Sequence, residues 1–141
     1  FLCLLEPLWN ELNAHHAALK SEFRGYYKKK RFKDRRAELD TKTGSMRVVT
    51  AYACGSLGGY CVSSVSPDGT GEIDSLIVSS ALRRQGTGRI LIEDALAWLS
   101  SVNAGKVILS VYEGNTGAVR FYERLGFAPK YTVYEKTSQE N

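Results

Sequence analysis

The 29 residues GEIDSLIVSSALRRQGTGRILIEDALAWL, 71–99, carry a change of period that few folds accommodate. Glu72–Val78 reads as a strand, continuously apolar from Leu76 to Val78, as in a strand covered on both faces. A helix is expected from about 87 to 101, with Ile90, Leu91, Leu96, Ala97 and Trp98 on its apolar face. Between them lies RRQGTGR, 83–89. The first turn of a helix leaves backbone N–H groups unpaired, and the helix dipole turns its positive end toward them. Gly86 and Gly88 have no side chains to keep an oxyanion away, and Arg83, Arg84 and Arg89 add charge. A phosphate or pyrophosphate site is the physical expectation. The bland alternative is an ordinary loop with solvated arginines, because two glycines alone are common in turns. A dinucleotide fingerprint would need GxGxxG, but Ile90 and Leu91 follow the glycines here, and GxxxxGK with Ser or Thr is absent.

The flanking segments extend the pattern. Residues 7–20 read as an amphipathic helix with Leu8, Leu12, His15 and Leu19 in series, after a short first strand at Phe1–Leu5. A second helix is expected over 26–40, using Tyr26, Phe32 and Leu39. Strands at 46–53 and 60–66, with GSLGG between them and the PDGTG turn at 67–71, lead into Glu72–Val78 as an antiparallel meander. KVILSVY, 106–112, reads as a buried strand, NTGAVRFYERLG, 115–126, as a helix, and YTVYEK, 131–136, as a closing strand. The fold class is therefore α/β, a mixed and mostly antiparallel sheet of α+β character with helices on both faces. The two crossovers impose some parallel pairing. One domain over 1–141 is expected, with a helical region at 1–45 and the sheet region at 46–136.

Several classes recede. FLCLLEP is too short for a membrane span and lacks a basic flank, so neither a signal peptide nor a membrane partner is expected. The chain starts without Met, so its N-terminus is expected to be trimmed or processed. Cys3, Cys54 and Cys61 lack metal-ligand spacing and cannot all pair within one chain, which suggests free thiols and a cytoplasmic setting. No metal is expected. The net charge is +4, and the positive residues concentrate in 20–42, especially KKKRFKDRR, 28–36. That run could bind nucleic acid, but interleaved acids and helical spacing favour a solvated helix face.

Residues 83–88 resemble the pyrophosphate motif of the GNAT superfamily of acyl-CoA N-acyltransferases: Arg or Gln, two residues, Gly, one residue, then Gly or Ala. The likeness continues through GYCVSSV, through the whole of 71–99, and through ILSVYEGNTGAVRFYERLGF with its Asn, Ala, Phe-Tyr and Leu-Gly-Phe. It implies a sheet splayed at a cofactor cleft, acetyl-CoA as cosubstrate, and transfer of acetyl to a primary amine of a small molecule or peptide. Backbone N–H groups of Gln85, Gly86, Thr87, Gly88 and Arg89 would bind the pyrophosphate. The backbone of Leu76, Ile77 and Val78 would pair with pantetheine, and a backbone N–H near Val78 would polarise the acetyl carbonyl. Asn115 would bond pantetheine or a water, Ala118 would permit close approach, and Phe121 would pack against the cofactor or the core. Tyr122 would lie near the sulfur.

An amine must lose its proton to attack a thioester, and the departing thiolate benefits from a proton donor. Tyr122 is the candidate acid. Glu72 is the first candidate base, and Asp74 shares its parity on the strand. Both could instead be solvated strand ends or an amine clamp. Glu113, His15 and His16 are weaker candidates. A cofactor-binding or regulatory protein without turnover is the alternative function, and homodimers are common among such proteins.

Overall fold

A computed structural model describes residues 5–18, 31–42 and 44–137. Its elements are α1 (Glu6–Ala18), α2 (Phe32–Asp40), β1 (Ser45–Ala53), β2 (Ser56–Val65), β3 (Thr70–Val78), α3 (Thr87–Ser101), β4 (Lys106–Leu109) and α4 (Thr116–Arg124). A 3-10 turn, Ser80–Leu82, follows β3. The described chain divides into two compact units. One is drawn from Phe1–Leu12 and Arg31–Ser110, the other from Asn13–Lys30 and Val111–Asn141.

The first unit holds a four-stranded sheet in the order β1-β2-β3-β4, antiparallel except for the parallel β3–β4 pair. The PDG turn joining β2 to β3 is closed by Ser66 N–H to the Thr70 carbonyl (2.9 Å) and Gly69 N–H to the Ser66 carbonyl (2.9 Å). β2 is buried continuously from Gly58 to Ser64 because helices cover both of its faces. On one face, Tyr60, Val62 and Ile77 pack with Leu5, Leu8 and Trp9 from the α1 end and with Phe32 and Leu39 of α2. Trp9 meets Phe32 edge-on, with ring centroids 5.9 Å apart.

On the other face lies α3, whose buried stripe is Leu91, Ile92, Ala95 and Leu99. The expected stripe is corrected here. Ile90 is 68% exposed and Ala97 is exposed, because positions 91, 95 and 99 follow the helical repeat and 90 and 97 fall opposite. Two glycines on the sheet admit the helix: a Cβ at Gly59 would lie 3.2 Å from Leu91 Cδ1, and one at Gly71 would lie 3.0 Å from Leu99 Cδ2. Arg47 of β1 clasps α3 through Nε and Nη2, each 3.0 Å from Asp94 Oδ1.

The β2–β3 ladder shifts register, pairing Val62 with Ser75 but Ser63 with Ile73, so Asp74 is an extra residue on β3. This bulge reverses the alternation of faces. Gly71 faces Leu99 of α3, whereas Ile77 lies in the cluster under α1 and α2. β4 pairs with Thr70–Ile73 only, and β3 runs on to Val78 with no β4 residue beside it among the described residues. The two strands thus part company beyond Ile73.

Three expectations change. GSLGG is not a connection: the turn is at Cys54–Gly55, and Ser56–Gly59 already belong to β2. KVILSVY gives a strand of four residues, not seven. Tyr131–Lys136 form no strand and are exposed, since alternation marks a segment that could bury one face without supplying a neighbour to bond. The expectations for residues 1–4, for 19–30 and for the side chains of His15 and His16 lie outside the described residues. Leu5 is described, as buried helical turn rather than strand.

Leu99 is fully buried between α3 and the sheet. Leu99→Ala should lower unfolding free energy by about 2–5 kcal/mol, through lost transfer energy and a residual cavity. A urea titration reads this as a shifted midpoint at unchanged slope.

Candidate active site

The corner after β3 is built from backbone. Gly86 caps α3 in the left-handed region (φ 79°, ψ 3°), where a Cβ would meet nothing within 4 Å. The first bond of the helix ladder runs from Ile90 N–H to the Gly86 carbonyl at 3.1 Å. The N–H groups of Thr87, Gly88 and Arg89 therefore precede the ladder and face outward from the helix start. Space, N–H donors and the positive end of the dipole coincide there, which is the physical requirement for an oxyanion.

Two of the three arginines have partners within the protein. Arg83 donates from Nε to the Val78 carbonyl (3.2 Å) and from Nη2 to Glu11 Oε1 (3.2 Å). Arg89 is paired with Glu93 one turn along α3 at 2.8 Å. Arg84 is exposed in a left-handed backbone conformation (φ 64°). Gln85 turns its amide back to the Ala81 carbonyl, 2.9 Å, and so braces the loop.

Glu72 and Asp74 lie on one face of β3, bridged by a residue that sequence reasoning did not single out. Lys42 Nζ is 3.0 Å from Glu72 Oε1 and 2.9 Å from Asp74 Oδ1. The Asp74 side chain is 1% exposed, and neither of its oxygens has a hydrogen-bond donor in proper geometry. The Lys42 ammonium is therefore its compensating charge. Burial works to lower the Lys42 pKa, but Asp74 and then Glu72 outweigh it and hold the value above the ordinary 10.5. The stabilisation is thus complete below pH 10.5 and fades only as the pH climbs through the raised value. Arg35 of α2 serves the same bulge, donating from Nη2 to the Asp74 carbonyl and to Ser75 Oγ at 3.0 Å. No spacing marks Lys42 or Arg35 in the sequence; both read as members of a basic run.

Glu72 also borders an open recess of about 460 Å³, lined with Lys42, Ser64, Thr70, Lys106 and Ile108 among others. Hydroxyl, ammonium and carboxylate groups line it together with apolar surface such as Ile108. Cys61 is buried, and that burial pushes its thiol up to about 12, with Asp74 and Asp94 adding to the effect. Such a thiol is not a nucleophile at neutral pH.

In the second unit, Asn115 caps α4: its Oδ1 accepts the Ala118 N–H at 3.2 Å. The Asn and Ala of the motif are therefore joined by the cap. Phe121, Tyr122 and Phe127 form a chain of edge-on rings, with centroids 5.2 Å and 5.8 Å apart. The Phe127 N–H returns to the Tyr122 carbonyl at 3.0 Å past Gly126, which ends the helix.

Lys42→Met should leave Asp74 buried without its counter-charge. A loss of about 2 kcal/mol is expected, less than for a fully buried pair because Lys42 is partly solvated. Adding Asp74→Leu should recover much of that loss in the same urea titration. A double variant as unstable as the sum of the singles would show that the two groups act separately.

Similar proteins share both the sequence and the architecture. A mycothiol acetyltransferase of Corynebacterium glutamicum is 46% identical over 67 residues, 46% of this chain and 23% of the relative. The chain thus spans less than a quarter of the length of that relative. A candidate acetyl transferase from Pyrococcus furiosus superposes with a TM-score of 0.75 at 20% identity, covering 95% of this chain and 91% of the other. A candidate streptothricin acetyltransferase from Bacillus anthracis, solved with acetyl coenzyme A, superposes with a TM-score of 0.55 at 23% identity, covering 61% and 49%. These structural likenesses establish the mixed α/β acetyltransferase fold. The model of the acetyltransferase (GNAT) family matches residues 12–127, most of the sequence, and the chain belongs to that family.

Proposed function

We propose that the chain transfers the acetyl group of acetyl-CoA to a primary amine by direct attack within a ternary complex, both compact units serving one transferase domain. The observation that carries this reading is the α3 corner. Unpaired N–H groups of Thr87, Gly88 and Arg89 stand at the end of a strand whose last residues have no β4 neighbour. The pyrophosphate would take the N–H groups. Pantetheine would take the free edge at Leu76–Val78 as an added strand, with the thioester carbonyl polarised by a backbone N–H near Val78.

Glu72 is the proposed base. Its carboxylate is held by Lys42 and borders the open recess, and an incoming ammonium would lose its proton to it directly or through water. Asp74 is too enclosed to meet an acceptor, and its part is to hold Lys42, hence Glu72, in place. Tyr122 is the proposed proton donor to the departing thiolate. Asn115, Ala118 and Phe121 are proposed cofactor contacts, with Asn115 keeping its amide nitrogen available beyond the cap bond. The reaction forms one C–N bond, breaks the C–S bond, and returns CoA as the thiol. No helix among the described residues is long and apolar enough to cross a membrane, and the acceptor is taken to be a small molecule or peptide amine.

Calorimetric titration with acetyl-CoA, with CoA and ATP alongside, tests the reading. Micromolar binding of acetyl-CoA and weaker binding of ATP support it, and no binding by folded protein removes it.

Two variants divide the roles. Gly86→Glu sets a negative charge at the proposed pyrophosphate position, so acetyl-CoA affinity should fall well over tenfold. Its left-handed backbone should cost the fold only about 1–2 kcal/mol. Equal losses in binding and in melting would make the glycine's role structural. Tyr122→Phe should leave acetyl-CoA affinity intact and lower kcat by about 10²-fold or more. Undiminished kcat would remove Tyr122 as the acid.

A further inference from the structure

We propose that Glu11 of α1 is a positioning residue for the cofactor corner, an inference that rests on the acetyl-CoA reading above. Three backbone groups close the end of β3. The Ser79 N–H is held by the Gly58 carbonyl of β2 at 2.7 Å. The Ser80 N–H donates to Glu11 Oε1 at 3.0 Å. The Val78 carbonyl accepts Arg83 Nε at 3.2 Å, and Arg83 Nη2 returns to the same Glu11 oxygen at 3.2 Å. One carboxylate oxygen from a distant helix thus receives two donors from the loop between β3 and α3.

The geometry changes the role of Arg83. Its guanidinium is bound on both sides, to Val78 and to Glu11, so it acts as a strut across the loop. The loop runs from Ser79 to Gly86, where α3 begins, and its course decides where the open N–H groups of α3 stand relative to the free edge of β3. The side chains of Glu11 and Arg83 are 36% and 48% exposed, so as a surface ion pair they add little to global stability. Their worth lies in placement. A bond to the Ser80 N–H fixes the start of the 3-10 turn, and the Arg83 link fixes its exit. α1 therefore belongs to the cofactor corner, although its sequence reads as an ordinary amphipathic helix.

The test uses Glu11→Ala and Glu11→Gln in the full chain. Hydrogen exchange is followed peptide by peptide without ligand, and acetyl-CoA affinity is measured by calorimetry. Glu11→Ala should speed exchange across residues 78–86 about 5-fold while the β1–β2 peptides keep their rates, and should raise the acetyl-CoA Kd about 5-fold. Glu11→Gln should fall between, because its amide oxygen still accepts from the Ser80 N–H. Unchanged exchange at 78–86 overturns the proposal, as does a uniform acceleration in every peptide. Tighter acetyl-CoA binding, from an Arg83 released to meet the phosphates, overturns it too. Should the parent chain bind no acetyl-CoA, the transferase reading fails on that ground, and the exchange rates still decide whether Glu11 holds the loop.

Discussion

A parallel neighbour for β3 can be reached only by a chain that crosses back over the sheet, and α3 is that crossover. Much else follows from this constraint. The crossover must begin where β3 ends, so the unpaired N–H groups of α3 are delivered to the carboxyl end of the strand. It must lie flat on the sheet, which brings Leu91 and Leu99 against Gly59 and Gly71. It must also deliver β4 beside the start of β3, and the four paired positions at Thr70–Ile73 leave the rest of that edge open. An anion-ready corner and a free strand edge are thus consequences of one connection.

The opposite face of the sheet is governed by a buried charge. Asp74 sits in a bulge, its carboxylate enclosed, and a lone carboxylate in such a place is costly. Two cations from α2 and its end answer it: Lys42 at the carboxylate and Arg35 at the bulged carbonyl. The same Lys42 grips Glu72, so the half-buried acid inherits its position from the enclosed one. This is a costly arrangement for stability alone, since an apolar pair of similar volume would serve as well. It suits the role proposed for Glu72, which needs a carboxylate held in one orientation beside an open recess.

The fold was legible where the pattern was dense. β1, β3 and α3 stand within a few residues of their expected bounds, because alternation, a turn with Pro and Gly, and helical spacing all agreed there. The strand expected at 131–136 failed because alternation reports a possible face and not a partner. The α3 stripe was misassigned because Ile90 and Ala97, which share a face with each other, were grouped with Leu91, which lies on the opposite face with Ala95 and Leu99, and the bulge at Asp74 carries no signature beyond its own residues. Of the candidate site, the glycines and the strand acids were visible, and the residues that hold them were not. Glu11, Arg35 and Lys42 lie 30 to 72 positions from their partners, and such pairings are fixed by tertiary packing alone.

The charge of the anchor motif needs a different account from the one its arginines invite. Arg83 is spent on Glu11 and Val78, and Arg89 on Glu93. What remains at the corner is the exposed Arg84 and, built into the fold, the backbone donors that the crossover sets and Gly86 leaves open. Backbone donors at a helix start are fixed in place and give up no side-chain entropy on binding, whereas a solvated arginine must be ordered first. They are also close-range and directional, so they favour a ligand with oxygens at the right spacing over one that is merely negative. The net charge of +4, concentrated in a basic run around α2, then says little about what the corner holds. On the proposed reading, selectivity for an anion would rest on the path of the main chain, which Arg83 helps to shape.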